Sequence, residues 1–141
     1  MSDTSGRITS EKELVKLVAQ RLEHMGCRTF SEVPFMYRSI DLVALRASGQ
    51  CIAIEAKLAD WRQALQQAKP CLLGAHKVYL AMPAHRAKAV DRAMLKAFGI
   101  GLIAIINNAP RVLVRARRSE YIMTPYSEAL LDTIAKRSQR S

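Results

Sequence analysis

The sequence predicts a single α/β domain with a mixed central β-sheet flanked by helices. Short apolar segments typical of strands alternate with segments in which apolar residues recur at helical spacing. Half of the 141 residues are hydrophobic, which is enough to bury one core without disulfides or a structural metal. We expect this domain to occupy residues 10–136, between a flexible N-terminus at residues 1–9 and a basic tail at residues 137–141.

The first half of the chain predicts one helix followed by three strands. Ser10 and Glu13 have the spacing of a helix-capping box, and apolar residues then recur at helical intervals as far as Gly26. Three apolar segments predict strands, and they cover residues 28–34, 40–46 and 51–58. Residues 47–49 predict a hairpin loop between the second and third strands, because Gly49 tolerates positive φ.

The second half predicts alternating helices and strands. Asp60 is a candidate cap for a helix that starts at Trp61, and Pro70 should end or kink that helix. After a strand at residues 77–82, Pro83 opens a helix predicted to run unbroken over residues 84–98, until Gly99. Two more strands at 100–106 and 111–117, joined by a turn, precede a last helix from about Pro125.

The charge of the chain points to a polyanionic partner. The formal net charge is +10, and neutralising phosphates releases condensed counterions, so nucleic acid is the expected partner. The alternative is that the charge serves solubility alone. The cysteines at positions 27, 51 and 71 lack metal-ligand spacing and predict reduced core residues. With no hydrophobic leader and no long apolar run, a cytoplasmic protein without membrane contact is expected.

Two acidic residues are predicted to face each other across the second and third strands. If Arg46 lies opposite Gln50, counting back along the ladder pairs Asp41 with Glu55. Strand alternation puts Lys57 on the same face as Glu55, and Ile40 on the same face as Leu42 and Ala44.

An opposed pair of carboxylates in apolar strands requires a compensating cation. Like charges repel and are costly to desolvate, and a divalent metal relieves both effects. Mg²⁺, with Mn²⁺ as a substitute, is the expected cofactor, held by Asp41, Glu55 and the backbone carbonyl of Ala56. The ammonium group of Lys57 would polarise a water molecule or neutralise developing charge. The alternative is a solvated strand end at which Asp41 pairs with an arginine such as Arg38.

The segments IDLVAL and IAIEAK resemble the metal-binding core of the PD-(D/E)xK, or restriction-endonuclease-like, superfamily, with Ile40 at the position of the motif's proline. The segment SEKELVKLVAQRLEHMGC is similar to the first helix of Holliday-junction resolvases in that superfamily, and LADWRQALQQA with VYLAMP resembles bacterial DNA-repair members. This resemblance implies that Glu11 joins Asp41, Glu55 and Lys57 as a catalytic residue. The alternative is that Glu11 only complements the helix dipole.

The resulting hypothesis is a metal-dependent nuclease that hydrolyses phosphodiester bonds, with DNA favoured, in repair, recombination or defence. The residues expected to contact nucleic acid are Arg62, Gln67, Arg111, Arg115 and Arg117. A homodimer with two active sites is an open alternative, by analogy with the family. The alternative function is a catalytically weak nucleic-acid-binding module of the same fold within a larger assembly.

Overall fold

The computed structural model describes residues 8–140, with the side chain of Arg140 excepted, and they form one α/β domain. The predicted flexible N-terminus therefore lies largely outside the described residues. The helices are α1 (Glu11–His24), α2 (Trp61–Ala68), α3 (Ala84–Ala87), α4 (Arg92–Phe98) and α5 (Thr124–Arg140), and a 3₁₀ helix (Lys69–Leu73) follows α2. The strands are β1 (Arg28–Phe35), β2 (Arg38–Leu45), β3 (Cys51–Ala56), β4 (Lys77–Pro83), β5 (Gly101–Ile106) and β6 (Ala109–Val114).

All six strands belong to one mixed sheet in the order β1-β2-β3-β4-β5-β6. Strands β3, β4 and β5 are mutually parallel, whereas β1, β2 and β6 pair antiparallel with their neighbours. The parallel strands are buried and nearly continuous in apolar residues, as expected for strands covered on both faces. The predicted fold class is confirmed.

Helices cover the two faces of the sheet unequally. The larger core lies on the face covered by helices α2 to α5 and the 3₁₀ helix, and it includes Val43, Leu65, Leu95 and Leu130. Helix α1 packs on the opposite face through Leu14 and Val18, against residues such as Ile54 and Ile103. Side chains on the middle strands can therefore contact helices on either face of the sheet.

Local capping signals account for where the main helices begin and end. The Ser10 hydroxyl accepts a hydrogen bond from the backbone N–H of Glu13 at 3.1 Å, as the capping-box spacing predicts. Asp60 caps α2 in the same way, accepting from the N–H of Gln63 at 3.0 Å. Gly99 ends α4 in the left-handed conformation with a φ of 72°.

Three predicted elements differ clearly in their bounds from the observed ones. The single helix expected over residues 84–98 is wrong, because the chain forms α3 and α4 with a break between them. Asp91 causes a new start there, since its carboxylate accepts from the N–H groups of Ala93 and Met94. Strand β6 ends at Val114, so the strand expected to reach Arg117 is too long. Helix α5 continues to Arg140, through residues that the sequence assigned to a basic tail.

None of the helices in the described part of the chain is long and apolar enough to cross a membrane. Cys51 and Cys71 are buried and Cys27 is partly buried, and all three are free thiols.

Candidate active site

The β2–β3 hairpin brings Asp41 and Glu55 to the same level of the sheet. The N–H of Arg46 donates to the carbonyl oxygen of Gln50 at 2.9 Å, as the hairpin prediction requires. The strand register then runs from Leu45 opposite Cys51 to Leu42 opposite Ile54, so the next positions are Asp41 and Glu55. The predicted register of the two acidic residues is therefore the register that the hairpin adopts.

The side chain of Asp41 takes over a backbone hydrogen bond at this point. Its Oδ2 accepts from the N–H of Ala56 at 2.8 Å, which holds the carboxylate against the end of β3. Asp41 does not form the alternative ion pair with Arg38. Within the described residues the ion pairs are Lys57–Glu11 and Lys136–Asp132.

Strand β2 changes the side toward which its residues point at Asp41. Val43 and Ile40 both belong to the larger core, whereas Leu42 belongs to the core under α1. Strict alternation would put Ile40 with Leu42, so that prediction is wrong. Ladder pairing between β1 and β2 is also interrupted opposite Asp41, where Glu32 has a φ of 49°. The irregularity leaves Asp41 at the boundary between the two sides of the sheet.

Glu55 is the only charged side chain classed as buried in the described part of the chain, with 2% of its surface exposed. Its Oε2 accepts a long hydrogen bond from the thiol of Cys71, with the sulfur 3.7 Å away, and its Oε1 has no hydrogen-bond partner. A buried carboxylate oxygen without a partner is costly unless a proton or a cation satisfies it.

The surroundings of Glu55 favour its neutral form. Burial, followed by the neighbouring charge of Asp41, raises the pKa of Glu55 from its ordinary value of 4.5 to about 8. The positive charge of Arg38 and the hydrogen bond from Cys71 act in the opposite direction. A cation can enter this site by displacing the proton that the raised pKa keeps on Glu55 at neutral pH.

Lys57 lies just beyond the end of β3 and turns toward α1. Its backbone N–H donates to the carbonyl oxygen of Ala81 at 3.0 Å, and its ammonium nitrogen lies 3.8 Å from Oε2 of Glu11. Glu55, in contrast, contacts Cys71 on the side of the larger core. The prediction that Lys57 and Glu55 share a face is therefore wrong, because regular strand geometry ends at Ala56.

Two concave surfaces meet at the acidic pair. A small cavity of about 110 Å³ has Glu55, Gln67 and Cys71 in its lining, together with the β1–β2 turn. A larger groove of about 510 Å³ runs between α1 and the first two strands, and both Glu11 and Asp41 line it. Glu11 and Asp41 thus line the groove, Glu55 lines the cavity, and Lys57 is tied to the groove by its ion pair with Glu11.

The donor set around Asp41 and Glu55 fits a hard divalent cation. Within residues 8–140 no three His, Cys, Asp or Glu side chains group closely enough to hold a metal by themselves. Mg²⁺ does not require three, because it commonly takes one or two carboxylates and keeps several waters. The unpartnered Oε1 of Glu55 is the atom that such a cation would satisfy.

The residues predicted to contact nucleic acid do not form one surface. Gln67 lines the cavity beside Glu55, and the guanidinium of Arg62 lies 4.6 Å from the ring centre of Trp61 on α2. Arg111 pairs with Ala104 on edge strand β6, so it is level with the site but three strands away, roughly 14 Å at normal strand spacing.

Arg115 and Arg117 follow β6, three strands across the sheet from Glu55. The N–H of Arg117 donates to the carbonyl oxygen of Gly99, which precedes β5, and its guanidinium donates to the carbonyl oxygen of Lys96. The parallel register runs from Tyr79 beside Gly101 to Pro83 beside Ile105, and Ala81 lies beside Ala56. Leu102, which lies two strands from Glu55 at the same level, pairs with Val114, the residue before Arg115.

Sequence reasoning missed three neighbours of the site: Tyr37, Arg38 as a charge beside Glu55, and Cys71 as a donor to Glu55. Pro34 was expected to end β1, but the strand continues to Phe35 and turns directly into β2. Proline is tolerated there because β1 is an edge strand. The signal for this short turn would have been the pairing of β1 with β2, counted from Asp41 back to the turn.

Comparisons with known proteins support the fold. No protein-family model and no curated protein matches the chain. A protein of unknown function from Silicibacter pomeroyi has a similar structure, with a TM-score of 0.73 and 19% identity over 95% of this chain and 89% of that one.

A repair endonuclease from Pyrococcus abyssi is more distantly similar, with a TM-score of 0.51 and 21% identity over 72% of this chain. The match covers 48% of that endonuclease, so this chain corresponds to about half of it. At these identities the likeness concerns the fold, which is one that a repair endonuclease contains.

Proposed function

We propose that this protein is a metal-dependent nuclease of the PD-(D/E)xK superfamily that hydrolyses phosphodiester bonds in DNA. The observation that carries the proposal is the buried, unpartnered carboxylate oxygen of Glu55 beside Asp41. A protein that only needed a stable sheet would be served better by an apolar residue at position 55, because burying a carboxylate next to another one is unfavourable.

In this proposal Asp41, Glu55 and the backbone carbonyl of Ala56 hold Mg²⁺, or Mn²⁺ in its place. When bound, the ion supplies a Lewis acid that activates water and neutralises charge on the phosphate. Asp41 is already oriented for this task, since the N–H of Ala56 fixes one of its oxygens at 2.8 Å. The bond to Cys71 similarly limits the positions that Glu55 can take.

Lys57 and Glu11 are proposed to handle the attacking water and the charge of the phosphate. The side chain of Lys57 is 19% exposed, so water screens its charge only partly. Glu11 lies 3.8 Å from this group, where it can orient Lys57 or accept a hydrogen bond from a water molecule. Arg38 adds a second positive charge near Glu55, suited to a neighbouring phosphate.

DNA is the proposed substrate because of charge and likeness together. The net charge of +10 favours a polyanion, and the Pyrococcus abyssi protein with a related fold is a repair endonuclease. We accordingly propose action in repair, recombination or defence. Phosphate contacts would provide affinity, since no helix-turn-helix or zinc-finger motif for reading bases is present in the sequence.

The test is cleavage of labelled single-stranded, duplex and branched DNA, and of RNA, with Mg²⁺, Mn²⁺ or EDTA. We expect cleavage of DNA that requires metal and falls at least about 100-fold in Asp41→Ala and in Lys57→Ala, as for removal of a group that stabilises the transition state. Asp132→Ala is the matched control, because Asp132 belongs to an exposed ion pair within α5. Metal-independent cleavage, or full activity of Asp41→Ala, would refute the proposal.

A second candidate function is a nucleic-acid-binding module of the same fold. The observation that favours it is the raised pKa of Glu55, because a proton on Glu55 removes the repulsion from Asp41 without any metal. Calorimetric titration of the protein with Mg²⁺ and Mn²⁺ at pH 8 separates the two functions. Binding that is lost in Glu55→Gln favours the nuclease, whereas tight DNA binding with neither metal uptake nor cleavage favours the module.

A further inference from the structure

The turn between β1 and β2 exposes two large side chains beside the acidic pair. Phe35 pairs with Arg38, so the connection is a two-residue loop formed by Met36 and Tyr37. Tyr37 is 99% exposed and Met36 is 46% exposed, whereas Phe35 directly before them is buried. A tyrosine in this position contributes almost nothing to the packing of the fold.

The backbone of this loop is unfavourable for the residue that occupies it. Met36 has a φ of 59°, a conformation that glycine and asparagine adopt readily and that a methionine adopts at a cost. Packing compensates for this cost only in part, because Met36 remains 46% exposed. Exposed aromatic side chains on strained turns are typical of binding sites.

The loop also forms part of the wall of the candidate site. Met36, Tyr37 and Arg38 line the same cavity of about 110 Å³ as Glu55. Arg38 is exposed, and its charge is close enough to lower the pKa of Glu55. A phosphate held at the acidic pair would therefore have a cation and an exposed aromatic ring next to it.

We propose that Tyr37 is a stacking platform for an unpaired base next to the scissile phosphate, and that Arg38 contacts the DNA backbone there. This inference rests on the proposed nuclease function and specifies its substrate. Within a duplex both faces of each base are covered by neighbouring bases, so a side chain can stack only on a base that has left the helix. The favoured substrate is therefore DNA that is single-stranded at the position of cleavage.

The test is equilibrium binding of fluorescently labelled DNA, measured by anisotropy in EDTA so that no cleavage occurs. Single-stranded and blunt duplex oligonucleotides of the same sequence are compared for the wild type, Tyr37→Ala and Tyr37→Phe. We expect tighter binding of the single strand, a loss of about tenfold in Tyr37→Ala for the single strand only, and retention in Tyr37→Phe, which keeps the ring.

The matched control is Tyr121→Ala, another exposed tyrosine, which is 48% exposed. The backbone N–H of Tyr121 donates to the hydroxyl of Ser119, and the N–H of Ser119 donates to the carbonyl oxygen of His76. His76 directly precedes β4, beside the start of β3, whereas Glu55 lies near the end of β3. Tyr121→Ala should bind both DNA forms as the wild type does. Equal affinity of Tyr37→Ala and wild type for the single strand, an equal loss on duplex, or the same loss in Tyr121→Ala would each overturn the proposal.

The binding assay keeps this inference separate from the nuclease proposal. If the protein cleaves no DNA in any metal but loses single-strand affinity only in Tyr37→Ala, the stacking platform stands and the nuclease function fails. If metal-dependent cleavage occurs while Tyr37→Ala binds and cuts single strands normally, the nuclease stands and the platform is refuted. Thermal melting of each variant verifies that it folds. Substitution of an exposed side chain should leave the melting temperature nearly unchanged.

Discussion

Replacing Glu55 by glutamine should change how the stability of the protein depends on pH. In the unfolded chain Glu55 titrates near its ordinary pKa of 4.5, whereas in the metal-free folded protein its pKa is about 8. Burial is the main cause, followed by the charge of Asp41. Glutamine occupies nearly the same volume but cannot ionise, so the variant removes this titration from the folded protein.

The sign and size of the effect follow from proton linkage. Between pH 4.5 and about 8 the folded protein holds a proton on Glu55 that the unfolded chain has lost, so stability falls as pH rises. The favourable contribution is complete below pH 4.5 and is lost as the pH passes through about 8. At about 1.36 kcal/mol per pKa unit, the expected loss is about 5 kcal/mol.

The assay is urea unfolding of the wild type and Glu55→Gln in EDTA at intervals from about pH 5 to pH 9. The informative quantity is the difference in free energy of unfolding between the two proteins at each pH. Other titrating groups, such as His76 with its lowered pKa, are common to both proteins and largely cancel in this difference. We expect the wild type to lose stability relative to the variant as pH rises.

A difference that stays constant across this pH range would refute the reasoning, since Glu55 would then ionise equally easily in both states. Addition of Mg²⁺ at about pH 8.5 extends the test to the proposed metal site. An ion that binds only the folded protein stabilises it by mass action. The melting temperature of the wild type should rise, and that of Glu55→Gln should rise much less.

Two further predictions concern the scaffold that supports the site. Asp60→Ala should lower the free energy of unfolding by about 1 kcal/mol, because the N–H of Gln63 at the start of α2 loses its cap, and Asp60→Asn should retain most of it. Urea unfolding of the three proteins measures this, and equal midpoints would contradict it. Gly101→Ala should destabilise by about 1–3 kcal/mol, since the new Cβ would lie 2.4 Å from the ring of Tyr79 and 2.7 Å from the backbone nitrogen of Ala116. An unchanged melting temperature would show that the sheet absorbs the methyl group freely.

The sequence determined the order of the elements and the register of the central hairpin. Period-two and helical patterns are local properties of the chain, and they gave the mixed α/β fold class. Gly49 fixed the loop length, and that loop set Asp41 level with Glu55, because register follows directly from turn geometry. The candidate acidic pair was predictable for this reason.

Signals that compete over a few residues were not resolved by the sequence. Helical spacing continues through residues 88–91, but Asp91 caps a new helix there, so one predicted helix is two. Alternation predicted the sides of Ile40 and Lys57 wrongly, because β2 is irregular at Asp41 and β3 ends at Ala56. A period of two holds only while the pleat is unbroken.

Only the tertiary structure decided which distant residues surround Glu55. Arg38 precedes Glu55 in the sequence and Cys71 follows it, and packing brings both close to the Glu55 side chain. The ammonium of Lys57 lies beside Glu11, which belongs to α1 on the opposite face of the sheet from Cys71. The same packing places Arg115 and Arg117 beyond β6, three strands across the sheet from Glu55. The sequence by itself determined which charged groups the chain carries and which two strands hold the acidic pair. Packing alone decided three properties of Glu55: its burial, its raised pKa and its oxygen without a hydrogen-bond partner. All three depend on atoms far apart along the chain.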